Sequence, residues 1–122
     1  MRRTEFMPLV EKALRKIPSE FRKALDNVEI VVEDWPDPDL VEEMTGERDE
    51  ILYGLYQGVP LPERGAGYGN STPDVIVLYR KALETDFASR DELAREIEVT
   101  LVHEIAHYFG FDETQLEEYG YD

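Results

Sequence analysis

Ser89-Arg90-Asp91-Glu92 opens the stretch that most constrains this chain, because a serine followed three positions on by glutamate, just ahead of an apolar run, is a capping box that starts a helix. Leu93, Ile97, Leu101 and Ile105 recur along one side, and Gly110 supplies a left-handed stop after Phe109. Twenty residues of α-helix span about 30 Å. In a chain of 122 residues, everything else has to pack around that rod as one domain with a single core of modest size.

The same helix carries a second stripe. At about 100° per residue, Glu96, Thr100, His103 and His107 fall on a line distinct from the apolar one, so the histidines need not compete with the core. They are also the chain's whole supply of histidine. In His103-Glu104-Ile105-Ala106-His107-Tyr108-Phe109-Gly110-Phe111-Asp112-Glu113 the pattern is HExxHxxGxxE, and two imidazoles four residues apart present one face to one metal ion, with Glu104 beside them. A catalytic zinc ion takes three protein ligands and keeps one position open for water. If the chain doubles back at Gly110, the third ligand is Glu113, with Asp112 as its neighbour and rival. The expected chemistry is peptide-bond hydrolysis by a zinc-activated water, with His103, His107 and Glu113 holding the ion and Glu104 as general base. Thr100 and Glu96 could line the site or orient its ligands, whereas Tyr108, Tyr119 and Tyr121 are expected to pack.

Composition narrows the alternatives. No cysteine is present, which excludes disulfides, thiolate zinc sites and thiol catalysis and leaves histidine and carboxylates to chelate. A formal net charge of −15 argues against nucleic acid as a partner. Much of the acid lies between Glu33 and Glu50, offset there only by Arg48. Such a run is either a solvated face or a surface that recruits a basic partner. The latter belongs to a second reading of the chain, a metal-stabilised, catalytically weak interaction or regulatory module. The N-terminal residues run into Glu5 and Glu11 without a signal-length apolar core, so a cytoplasmic protein is expected. The longest apolar run, near Val75 to Tyr79, is far below the ~20 residues of a membrane span.

Upstream of the motif helix, Phe6, Leu9, Val10, Ala13, Leu14 and Ile17 mark an amphipathic helix over 4–16. Pro18-Ser19 interrupts it before a short helix over 20–25. Val28 to Glu33 reads as a strand, and the chain reverses near Trp35-Pro36. Asp37-Pro38 caps one or two helical turns that Gly46 stops. Strands are expected over 51–56 and 74–80. Gln57 to Pro73 is a long loop broken by glycine and proline, from which Arg64 or Tyr68 could face a substrate.

The residues resemble, in the same order along the chain, the small bacterial zincin-like metallopeptidases described as minimal metzincins. The resemblance lies in Leu55-Tyr56-Gln57-Gly58-Val59-Pro60-Leu61-Pro62-Glu63-Arg64-Gly65, in Pro73-Asp74-Val75-Ile76-Val77-Leu78-Tyr79-Arg80, and in Val99-Thr100-Leu101-Val102 followed by the motif to Gly110. It implies an α+β fold in which a short sheet of three or four strands, mixed or antiparallel, packs on the motif helix. It also implies one catalytic zinc ion held by His103, His107 and an acid after the glycine, with Glu104 as base and a peptide or protein as substrate. The family usually has aspartate where this chain has Glu113, and larger metzincins have histidine, so the resemblance leaves both Glu113 and Asp112 open. Larger metzincins also carry a methionine turn downstream, which Thr114 to Asp122 lacks.

Overall fold

Val28 to Glu33, the run richest in β-branched residues near the N-terminus, forms β1 (Val28–Glu33) with the predicted bounds. The computed structural model describes residues 2–58 and 74–121, so the expected roles of Arg64 and Tyr68 fall outside the described residues. Ahead of β1 stand α1 (Arg3–Lys16) and α2 (Ser19–Ala24), separated at Pro18. After it come α3 (Pro38–Thr45), β2 (Gly54–Gln57), β3 (Asp74–Tyr79), α4 (Arg80–Asp86), α5 (Arg90–Phe109) and α6 (Glu113–Tyr119).

The caps stand where the sequence places them, although the Glu92 side chain does not return the bond to Ser89 that a full capping box includes. Asp37 accepts a hydrogen bond from Asp39 N at 2.9 Å, Pro38 opens α3, and Gly46 ends it at φ +89°. Ser89 Oγ accepts from Glu92 N at 3.1 Å to start α5, and Gly110 closes that helix at φ +78°.

The sheet is mixed and has the order β1-β3-β2. β3 lies in the centre, parallel to β1 with Ile30 opposite Ile76, and antiparallel to β2 with Leu55 opposite Val77. A central strand is covered on both faces, and from Ile76 to Tyr79 every residue of β3 is buried. Ile76 and Leu78 point into the main core with Phe6, Val10, Ile97 and Leu101, whereas Val77 and Tyr79 join Leu55 and Ala82 in a smaller cluster on the other face. Helices α1 and α5 therefore cover one face, and α5 also packs on β2. The α+β architecture with a short sheet on the motif helix is the expected one.

Two details differ from the sequence reading. The strand expected over 51–56 begins only at Gly54, since Ile51 is 59% exposed and leaves the sheet, although Tyr79 N still bonds to Tyr53 O at 2.9 Å. Two helices, α4 and α6, were not anticipated. No side chain caps α4, which follows β3 without a break, and it buries only Ala82 and Leu83, so its periodic signal is faint.

Candidate metal centre

The apolar side of α5 fixes what its other side can do. Leu93, Ile97, Leu101 and Ile105 are all at most 2% exposed, which sets the rotation of the helix and turns Glu96, Thr100 and His103 toward β2 and the segment ahead of it. A groove of about 320 Å³ runs there past Leu52, Gly54, Glu96 and Thr100 to His103 and Glu104. His103 and Glu104 are half-buried, and His107, one turn on, is exposed.

Glu104 is held from the sheet. Its Oε1 accepts a hydrogen bond from Tyr56 N at 2.9 Å. That contact needs β2 to lie close against α5, and Gly54 makes the approach possible: a Cβ there would stand 2.7 Å from Thr100 Cγ2 and 3.0 Å from Val77 O. Tyr56 is fixed in turn by its hydroxyl, which donates to Asp74 Oδ2 at 2.7 Å, and by its ring, which stacks on Tyr108 with centroids 3.9 Å apart and planes at 19°. Burial pushes the Glu104 carboxyl above the usual carboxylate range, opposed by the Tyr56 N–H and by the two neighbouring histidines. Gly54 and Tyr56 are the residues that sequence reasoning missed. Their significance depends on the register of β2 against β3, which no local pattern encodes.

What returns to the motif helix after Gly110 is not the expected acid. Asp112 is the N-cap of α6: its carboxylate accepts from Gln115 N at 2.9 Å, and Gln115 Oε1 accepts from Asp112 N at 2.9 Å, a complete capping box. Glu113 is the first residue of α6 and is exposed. Among the described residues, no three His, Asp or Glu side chains stand close enough together to hold one ion. The structure thus brings His103, Glu104 and His107 together on one helix and leaves Glu113 apart from them.

It is Tyr121 that folds back. Its backbone carbonyl accepts a hydrogen bond from His103 Nε2, and its hydroxyl donates to the buried carboxylate of Glu98. Arg95 bonds to Glu98 at 3.1 Å and to Gly120 O at 2.7 Å, with its guanidinium 5.0 Å from the Tyr121 ring centroid. Tyr119 donates to Glu20 and lies edge-on to Phe21. The C-terminal tyrosines pack, as expected of them.

This donor set suits zinc at the two histidines. A carbonyl can only accept, so His103 donates to it from Nε2, and Nδ1 is the ring nitrogen that would take a metal. A ligand imidazole commonly has such an outer hydrogen bond, which sets its tautomer and orientation.

A mixed sheet packed on a helix that carries HExxH, with the glutamate anchored to the neighbouring strand, defines a zincin-like domain. In agreement, the family profile of the zincin-like metallopeptidases matches residues 25–121, and the chain belongs to that family. Comparison with curated proteins gives no significant match. No helix among the described residues is long and apolar enough to cross a membrane.

Proposed function

We propose that the protein is a zinc-dependent metallopeptidase in which His103 and His107 hold the ion and Glu104 is the general base. The observation that carries this reading is the placement of Glu104, half-buried between the histidines of its own helix and tied to Tyr56 N. Zinc bound there would supply a Lewis acid that polarises the scissile carbonyl and lowers the pKa of water. Glu104 has one oxygen committed to Tyr56 and the other available to accept the proton of the attacking water and pass it to the leaving amine. Burial raises its proton affinity, which favours that acceptance. The remaining ligand we assign to Glu113, whose approach to the histidines requires a shift of the corner between α5 and α6. The reading carries with it a peptide or protein substrate and a cytoplasmic setting.

Zinc analysis of reconstituted protein and hydrolysis of a peptide library test it. Glu104→Gln should retain stoichiometric zinc and lose roughly a hundredfold or more in kcat/KM. A reconstituted wild type without stoichiometric zinc would overturn the assignment. Because Asp112 caps α6, the ligand question is best put to Glu113→Gln and Asp112→Asn, since asparagine keeps the cap. The larger loss of zinc affinity is expected in Glu113→Gln. The module reading predicts instead that Glu104→Gln leaves the cellular role intact.

A further inference from the structure

Next to the groove that reaches His103 and Glu104 lies a second pocket of about 230 Å³, walled by Trp35, Val41, Ile51, Leu52 and Ala82. Ile51 and Leu52 line both spaces, so pocket and groove share a wall. Trp35 and Ile51 are 56% and 59% exposed, which leaves two large apolar side chains at the pocket in contact with water. Asp49, Glu50 and Asp86 line it as well. The cation among the lining residues, Arg48, is engaged by Asp39 at 2.5 Å and by Glu42 at 3.1 Å. The pocket therefore offers apolar walls set among carboxylates, on a chain whose net charge is −15.

We propose that this pocket receives, from a peptide lying in the adjoining groove, a large apolar side chain flanked by lysine or arginine, and that the protein selects basic-apolar sequences through it. The proposal rests on the metallopeptidase reading for the identity of its ligand as a peptide. Two physical effects act together. An apolar side chain entering the pocket removes water from Trp35 and Ile51, which the described residues leave more than half exposed. Flanking cations meet the carboxylates at the same moment, while an acidic peptide meets like charge and is rejected. A small side chain satisfies the charge and leaves the apolar walls wet. Selection then requires both features in one sequence, which an acidic surface without a pocket would not impose.

Trp35 is the only tryptophan of the chain, so its emission responds to binding at the pocket, and the Ile51 and Glu50 variants below separate this from binding at the groove by Glu33 and Asp34, which Trp35 also lines. The 122-residue chain is titrated with three eight-residue peptides that carry Lys-Leu-Lys, Lys-Ala-Lys or Glu-Leu-Glu at the centre. A saturable blue shift is expected with the first and at least tenfold weaker binding with the other two. Raising the salt concentration should weaken binding of both lysine peptides and should not weaken that of Glu-Leu-Glu. Ile51→Asp and Glu50→Lys, both at exposed positions, should each weaken Lys-Leu-Lys binding about tenfold with unchanged circular dichroism. Binding without hydrolysis would overturn the peptidase reading and sustain the pocket. Hydrolysis that shows no preference for Lys-Leu-Lys and no response of Trp35 would overturn the pocket and leave the peptidase reading standing. A Trp35 emission that changes with protein concentration, alongside a dimer in sedimentation, would make a second copy the occupant and also overturn the proposal.

Discussion

At Tyr56, one residue ties the sheet to the motif helix: its N–H donates to Glu104, its hydroxyl donates to Asp74, and its ring lies on Tyr108. Tyr56→Phe removes the hydroxyl's bond to Asp74 and keeps the backbone donor to Glu104. Stability should fall by about 1 kcal/mol in thermal melts while peptide hydrolysis stays near wild type, because the backbone donor remains. Tyr53 offers a test by pH. Burial first, and then its bond to Asp86, push its phenol from 10.0 up to about 12. A group raised in the folded state contributes its stability fully below its unfolded pKa, and that contribution disappears as the pH climbs through the folded value. Between pH 10 and about 12 the wild type should therefore lose stability that Tyr53→Phe does not have to lose; superimposable alkaline denaturation curves would refute this. At this scale, His103, Glu104 and His107 were legible because a four-residue spacing needs only a helix to be realised. Tyr56 was not, since a strand's backbone donor meets a helix carboxylate only after tertiary packing. Asp112 was legible in principle: aspartate followed three residues later by Gln115 spells a capping box, and the metal pattern overlapping it competed for the same residue.

At the scale of elements, close approach and helix stops decide what can be changed. Gly54→Ala puts a methyl group into Thr100 Cγ2 and Val77 O, so β2 has to move away from α5, and the Tyr56 to Glu104 bond goes with it. Peptide hydrolysis should drop while the far-UV circular dichroism is retained. Gly110→Ala differs, because nothing among the described residues lies within 4 Å of the added atom and the positive φ is what opposes it. It should cost roughly 1–2 kcal/mol in chemical denaturation, the penalty of a left-handed residue with a Cβ. Caps and β-branched runs made α3, α5 and β1 readable from the sequence. The start of β2 was misplaced by three residues because Ile51 and Leu52 are as apolar as a strand yet wall the pocket beneath Trp35 instead. Such residues follow the alternation of a strand while serving a surface.

For the molecule as a whole, the main core is built from apolar side chains and does not include the histidines of α5. Phe6, Ile17, Phe21, Ile76 and Leu101 are each 0% exposed, all at a distance in kind from the polar stripe of α5. Chelation should lower the stability of zinc-loaded protein by the linkage term, about 2.7 kcal/mol where free zinc had stood at 100 times its dissociation constant, with a matching fall in melting temperature and the secondary structure left intact. Unfolding on chelation at ambient temperature would contradict this. The general architecture was foreseeable from periodicity and caps; the order β1-β3-β2 was not, because strand order follows from burial on both faces of β3.

The packing of α1 on α5 and the pairing of β1 with β3 both join distant parts of the chain. Until α5 is made, α1 and β1 lack the element that completes the cover of their apolar sides. The helix that completes the core is thus the one that bears His103, Glu104 and His107. A nascent or partly folded chain cannot present a formed site, so a metallopeptidase built on this topology would acquire its hydrolytic machinery only at the moment it becomes fully folded.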